Sequence, residues 1–286
     1  MSDTISIISG LSGIAAQYDA LICDVWGVLH DGQTARAPAV EALRRFRESH
    51  GPVVLLTNAP RPVADVKAQF QRFGVPEDCY DAIMTSGVAA RTDLERRARG
   101  ARLPMLHLGP DRDRGVFEGL DVECVAAASA EVVLCTGLYH DDHETPEDYR
   151  ALLARLRSRG LSMLCANPDI VVQRGDKLVY CAGAIARAYE EIGGHVVYYG
   201  KPHRPIYETV LATANAISGR VIARPLAVGD GLATDILGAN RMGIDALFIA
   251  DGVHGEEIGA MTPERLGAVF AKAGVRAVAA MPALVW

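Results

Sequence analysis

Four stretches of this chain end in residues that could do chemistry together. Asp24 closes the apolar run Leu21-Ile22-Cys23, and Thr57-Asn58 close Val53-Val54-Leu55-Leu56. Gly200-Lys201 follow His195 to Tyr199, and Gly229-Asp230 follow Pro225 to Val228, with Asp235 shortly after. Carboxylates are ligands for a hard cation such as Mg²⁺, which keeps waters for substrate phosphate oxygens. A lysine beside glycine-exposed backbone N–H groups suits a phosphoryl group. A carboxylate such as Asp24 can also be a nucleophile, forming an aspartyl-phosphate that water then hydrolyses. Lysine is scarce here, only Lys67, Lys177, Lys201 and Lys272, which singles out Lys201.

These residues act together only if the elements before them share one edge. A short apolar run flanked by turn residues reads as a buried parallel strand. Open α/β sheets bind ligands at the carboxyl ends of such strands. The spacing predicts a lead-in helix within residues 1–20 and a helix from Pro38 through Val40, Leu43 and Phe46 to Gly51. A further helix starts at Pro62, with Val63, Val66, Phe70 and Phe73 on one face and Gly74 at its end. Asp81 to Thr85 is a strand, and Ser86 is the expected N-cap of a helix to about Arg99. This strand–helix alternation is the signature of a parallel sheet covered on both faces.

The rhythm then changes. Arg102 to Leu108, Glu131 to Thr136 and Leu161 to Ala166 are strand candidates. Thr145-Pro146-Glu147-Asp148 opens a helix to about Ser158 in the manner of a capping box. Gly175-Asp176 reads as a hairpin turn between Ile170–Gln173 and Lys177–Cys181. A helix comes next over Ala184 to Ile192. The first rhythm resumes at His195, with a helix from Pro205, a strand at Pro225, a helix opened by Thr234-Asp235, a strand from Ala246 and a last helix from Thr262-Pro263. The expectation is an α/β protein: a Rossmann-like parallel-sheet core of residues 1–88 plus 197–286, with an inserted α/β domain over 89–196.

With 286 residues, half of them apolar, the chain can bury a large core without disulfides. A net charge of −6 argues against nucleic acid or an anionic membrane as partner. No apolar run is long enough to span a bilayer, and the start lacks a signal peptide's basic residues. The six cysteines are scattered and read as small buried hydrophobes in a reducing cytoplasm.

The four motifs, in order and with an insertion between the second and third, resemble those of the haloacid dehalogenase-like hydrolases. The resemblance covers nearly the whole chain and is to the subclass with a large α/β cap after the second motif. Asp24-Val25-Trp26-Gly27-Val28 falls on the first motif, Leu56-Thr57-Asn58 on the second and Gly200-Lys201-Pro202-His203 on the third. Gly229-Asp230-Gly231-Leu232-Ala233-Thr234-Asp235 falls on the fourth. Ala166-Asn167-Pro168-Asp169 and Cys181-Ala182-Gly183-Ala184 resemble segments of the cap. The resemblance implies Asp24 as nucleophile, and a Mg²⁺ site made by Asp24, the Trp26 backbone carbonyl, Asp230 and Asp235. It implies Thr57, Asn58 and Lys201 on the phosphoryl group. The subclass contains nitrophenyl-phosphate, sugar-phosphate and nucleotide phosphatases, so the expected partner is a small phosphorylated metabolite. A homodimer is compatible with the sequence but not specified by it.

One position departs from the family. Its phosphatases carry a second aspartate two residues after the nucleophile, which protonates the leaving group and later activates water. Here that residue is Trp26, whose indole cannot serve. General acid–base catalysis contributes roughly 10²–10⁴-fold. A protein that binds phosphate ligands without turnover is therefore the alternative. His30 and Asp31 read as a polar hairpin turn, with a substitute acid as their other reading. Lys177, at the hairpin, reads as solvated. His140 and His143, in Tyr139-His140-Asp141-Asp142-His143-Glu144, read as a solvated loop that could also touch substrate. Asn167 and Asp169 are candidates for substrate specificity. A phosphorelay receiver would share the carboxylates, Thr and Lys, but is a short single domain without such an insertion.

Overall fold

The computed structural model describes residues 5–174, 177–251 and 261–286. The predicted hairpin turn Gly175-Asp176 lies outside them. Internal contacts divide the chain into two compact units: residues 1–57, 66–84 and 201–286, and residues 58–65 with 85–200.

The first unit is built on a seven-stranded sheet. In chain order its strands are β1 (Ser6–Ile7), β2 (Ala20–Asp24), β3 (Val53–Thr57), β4 (Ala82–Thr85), β12 (Pro225–Gly229), β13 (Asp245–Ile249) and β14 (Ala279–Met281). In space they run β1-β14-β13-β12-β2-β3-β4. The pairs from β1 to β3 along this order are all parallel. All five residues of β2 and all five of β3 are buried, as expected for strands covered on both faces. The covering helices carry the apolar stripe their sequences predict. Val40, Leu43 and Phe46 are buried on α1 (Ala37–Ser49), Val66 and Phe70 on α2 (Val63–Phe73). Ile206, Tyr207 and Val210 are buried on α6 (Arg204–Ser218), and Leu266 and Phe270 on α8 (Pro263–Ala273). Each such side chain contributes roughly 1.5–3 kcal/mol. α7 (Leu237–Met242) also belongs to this unit and ends at Gly243, as expected.

The second unit holds a five-stranded parallel sheet of β5 (Leu103–Leu108), β6 (Val122–Cys124), β7 (Val132–Cys135), β8 (Ser162–Cys165) and β11 (His195–Tyr198), ordered β11-β8-β7-β5-β6. Alternate residues face two cores. Leu106, Val133 and Met163 pack with Leu153 and Leu156 of α4 (Arg150–Ser158) and with Ile185 and Tyr189 of α5 (Ala182–Glu191). Met105, Val132, Leu134 and Leu164 pack with Ala90 and Leu94 of α3 (Ser86–Arg97). A separate antiparallel pair joins β9 (Val171–Arg174) and β10 (Lys177–Tyr180). The capping box forms, with the Thr145 N–H donating to Asp148 Oδ2 at 2.8 Å ahead of α4.

Several expectations need correction. Residues 11–17 form two short 3₁₀ turns after β1, in place of a lead-in helix. Thr85, not Ser86, caps α3, its hydroxyl accepting the Val88 N–H at 3.0 Å. β11 pairs with β8 in the second sheet and does not join the first. Lys201 therefore does not extend from a core strand. All six cysteines are free, but Cys124 is exposed on β6, a strand the charged sequence around it hid. Among the described residues no helix is long and apolar enough to cross a membrane.

Candidate active site

β2 lies between β12 and β3, so the residues just beyond these three strands meet at one edge. Asp24, the last residue of β2, pairs with Leu56, which places Thr57 one step further along β3. Cys23 pairs with Val228, so Asp230 leaves the end of β12 beside Asp24. The chain then makes a π-helical turn, Leu232–Ile236, in which the Asp235 carboxylate accepts the Gly231 N–H at 3.0 Å. Tyr207 on α6 donates its hydroxyl to the Asp235 carbonyl at 3.2 Å and fixes that turn from behind.

Asp24, Asp230 and Asp235 are all buried, and each offers an oxygen within 4.8 Å of the others. Lys201, also buried, enters ahead of α6. Its ammonium donates to Asp24 Oδ1 at 2.5 Å and to Asp235 Oδ1 at 2.7 Å. Burial and then the Asp235 charge push the Asp24 carboxyl well above the usual carboxylate range, and Lys201 pulls it back. Burial alone would lower the lysine, but Asp235 and Asp24 outweigh it and hold the ammonium charged, with its pKa raised well above the usual value. With all three carboxylates ionised, the one ammonium would leave a formal charge of −2 in this buried group. That is costly unless compensated. An all-oxygen donor set with this excess charge fits a hard divalent cation.

The loop from Asp24 to Gly32 wraps this cluster. Gly27 sits at φ +77° against the Asp230 carboxylate, where any Cβ would collide with Oδ2, so only glycine allows the approach. The Gly27 N–H donates to the His30 carbonyl at 2.9 Å. In a trans peptide the carbonyl points opposite its N–H, so the Trp26 carbonyl faces away from His30. The Trp26 side chain is 44% exposed.

His30 departs from the polar turn expected of it. It is buried among aromatic rings, with Phe73 at 5.0 Å, Trp26 at 5.2 Å and Phe70 at 6.0 Å between ring centroids. Its Nδ1 accepts the Gly32 N–H at 3.0 Å, and burial lowers its pKa to about 4, so the imidazole is neutral at pH 7. Asp31 is the turn residue expected, exposed and accepting the Gln33 and Thr34 N–H groups, which hold its carboxyl below its ordinary value.

The remaining candidates lie in the second unit. Asn58 is buried and donates to Asp169 Oδ1 at 2.8 Å. The Asp169 N–H donates to Asn167 Oδ1 at 3.1 Å. Asn58, distant in sequence from Asn167 and Asp169, forms one polar group with them. His140 and His143 do not join it. They stack on each other at 5.4 Å in an exposed loop, where Glu144 accepts the His140 N–H and the Tyr149 hydroxyl.

Sequence reasoning missed Asp113. It sits in the charged stretch Asp111–Arg114, which reads as surface, yet it is buried. Arg61 Nε lies 3.5 Å from Asp113 Oδ1, and burial pushes this carboxyl up to about 6. No local signal marks it, because the chain that covers it comes from elsewhere in the sequence.

Two family models match this chain: the haloacid dehalogenase-like hydrolase model over residues 21–123, and a HAD-hydrolase-like model over 198–272. A solved hydrolase of the haloacid dehalogenase-like family from Brucella suis is 44% identical, covers 98% of this chain and 100% of its own, and superposes with a TM-score of 0.85. The chain belongs to the haloacid dehalogenase-like hydrolases. Among haloacid dehalogenase-like relatives, the ribonucleotide monophosphatase NagD of Escherichia coli K12 is 28% identical over 238 residues, 82% of this chain and 88% of NagD. A glycerol phosphate phosphatase from Mycobacterium tuberculosis, solved in complex with magnesium, shares the fold at 23% identity and a TM-score of 0.65, over 87% of this chain and 73% of its own. The α/β fold and the capped subclass anticipated from the motifs are those of these haloacid dehalogenase-like relatives.

Proposed function

We propose that this chain is a Mg²⁺-dependent phosphohydrolase acting on a small phosphate ester through an aspartyl-phosphate on Asp24. The observation that carries this reading is the buried group of Asp24, Asp230 and Asp235 with Lys201 bridging two of them. Asp24, Asp230, Asp235 and the Trp26 carbonyl would hold the ion. When bound, Mg²⁺ neutralises the carboxylates and the phosphate oxygens so that an anionic nucleophile can approach an anionic ester.

The chain's own residues do the rest. Asp24 attacks phosphorus, the P–O bond to the leaving group breaks, and that group departs with the electron pair. Lys201 and Thr57, with Asn58 next in the chain, hold the phosphoryl oxygens, donating where charge is transferred. Water then attacks the aspartyl-phosphate, releases phosphate and restores Asp24. The first unit is the catalytic core in this reading and the inserted unit the cap, with Asn167, Asp169, His140 and His143 as candidates for substrate choice. The ribonucleotide monophosphatase and glycerol phosphate phosphatase relatives support a small phosphorylated metabolite as substrate.

Trp26 favours one second reading, a protein that binds phosphate ligands but has lost turnover. A panel of sugar, nucleotide and nitrophenyl phosphates, assayed with and without Mg²⁺, decides between them. Mg²⁺-dependent release of phosphate from any ester supports the enzyme. Binding of the same compounds without release supports the second reading.

A further inference from the structure

We propose that Tyr207 is a positioning residue for the metal site, its buried hydroxyl holding the π-helical turn that places the Asp235 carboxylate. The inference rests on the Mg²⁺-dependent reading above and names a further residue on which that site depends.

The turn is an irregular piece of backbone in a buried place. The Gly231 carbonyl accepts both the Asp235 N–H at 2.9 Å and the Ile236 N–H at 3.1 Å, so the turn is one residue wider than an α-helical one. Single π-helical turns are rare and cluster at functional sites. Tyr207 holds this one from α6. It is 1% exposed, and its hydroxyl, which donates to the Asp235 carbonyl, also lies 3.5 Å from the Thr234 carbonyl oxygen. Gly238 on α7 leaves the space, since any Cβ there would collide with the Tyr207 hydroxyl and ring.

Asp235 is thereby held at both ends. Its carbonyl meets Tyr207. Its carboxylate takes Lys201 Nζ on Oδ1, and the Gly231 N–H and Thr234 hydroxyl on Oδ2. Gly229 lets the residue close on the end of β12, where a Cβ would collide with Asp235 Cβ and Cγ. Lys201 stands just ahead of α6 and Tyr207 lies within it, so one segment grips Asp235 from front and back. The peptide plane that contains the carbonyl also contains the Asp235 Cα. Releasing the carbonyl frees that Cα, and the carboxylate moves with it. Mg²⁺ demands near-octahedral geometry, whereas Ca²⁺ accepts irregular shells. A displaced carboxylate should therefore be felt by Mg²⁺ more than by Ca²⁺.

Tyr207→Phe removes the hydroxyl and keeps the ring. Calorimetric titration should show the Mg²⁺ dissociation constant rise by roughly 10–100-fold, the usual effect of losing a ligand's outer partner, and that of Ca²⁺ by a smaller factor. In an Asp235→Ala background the same change should have no further effect, because the hydroxyl acts through Asp235. Tyr18→Phe is the control. It loses another buried tyrosine's hydrogen bond, to Asp245 at the amino end of β13, and should leave both affinities unchanged. Without metal, the Gly231 amide proton should exchange severalfold faster in Tyr207→Phe than in wild type, since its acceptor is the Asp235 carboxylate. A melting temperature that falls while both dissociation constants and the Gly231 exchange rate stay unchanged would make Tyr207 a packing residue and overturn the proposal. Equal losses for the two ions, or an undiminished effect in the Asp235→Ala background, would overturn it too. A wild type that binds no Mg²⁺ would instead count against the metal reading, and Gly231 exchange would still decide whether Tyr207 holds the turn.

Discussion

Lys201 Nζ donates to Asp24 Oδ1 at 2.5 Å, across 177 positions of sequence, with both groups buried. The candidate nucleophile is thus already paired with a cation. Without that cation, three buried carboxylates would repel one another.

Removing the ammonium should therefore cost stability as well as activity. Lys201→Met is expected to lose roughly 3–5 kcal/mol of unfolding free energy, the usual cost of stranding a buried charge. Mg²⁺ should return part of it. Denaturant titrations of both proteins with and without Mg²⁺ measure this, and an unchanged midpoint would show the pair to be unimportant for the fold.

Asp24→Asn should separate chemistry from stability. It removes the nucleophile and one of three repelling charges while keeping the shape. Turnover should fall by roughly 10⁴-fold or more, with no loss in melting temperature. Near-wild-type hydrolysis by this variant would exclude an aspartyl-phosphate.

Asp230 and Asp235 should differ when replaced. Asp235 also holds Lys201 and the Gly231 N–H. Asp235→Ala should lower the melting temperature without metal and weaken Mg²⁺ stabilisation, whereas Asp230→Ala should abolish that stabilisation. Calorimetric Mg²⁺ titration of both variants checks the order, and equal affinity in wild type and Asp230→Ala would remove Asp230 from the site.

Trp26→Asp should restore a carboxyl where the family uses one. Turnover of an alkyl phosphate should then rise, by at most the roughly 10²–10⁴-fold that acid–base catalysis supplies, and that of a nitrophenyl ester should rise less. The comparison is kcat/KM for both esters on both proteins. Wild type equally fast on both would point to an acid elsewhere in the chain.

Asp113 gives a pH prediction. Its folded pKa, about 6, lies above the ordinary carboxyl value, so between the two the folded protein holds a proton that the unfolded chain has released. Stability from this group is complete at low pH and is lost as pH rises through about 6. Asp113→Asn should consequently stabilise the protein at pH 7, on the order of 1–2 kcal/mol, and not at pH 3.5. Melting curves at the two pH values suffice, and equal shifts at both would refute the pKa argument.

Much of the candidate site was legible because it sits where strands end. Asp24, Thr57 and Asp230 come at or after the ends of short apolar runs bounded by turn residues, which read as buried strands, and parallel pairing brings those ends to one edge. Lys201 was found for a partly mistaken reason. Its preceding strand looks like the core strands but pairs with β8, and strand partners are not written in a strand's own residues. β1, β6 and β14, of two or three residues, are too short for any periodicity to show. The burial of His30 by Phe70 and Phe73 depends on residues some forty positions along the chain, and Asp113 lies between two arginines in sequence, which hides its burial.

The position of β12 between β2 and β13 has a consequence for how the protein is made. A ribosome delivers residue 24 early, yet the neighbour that flanks it through Cys23 and Val228 emerges only after the whole second unit. That unit's five-stranded sheet spans residues 103–198 and is complete in the nascent chain before β12 exists. Vectorial synthesis should therefore close the inserted sheet first and leave one side of β2 unpaired meanwhile, a state prone to wrong partners. Slowing translation just before residue 225 would lengthen that interval and should lower the yield of native protein.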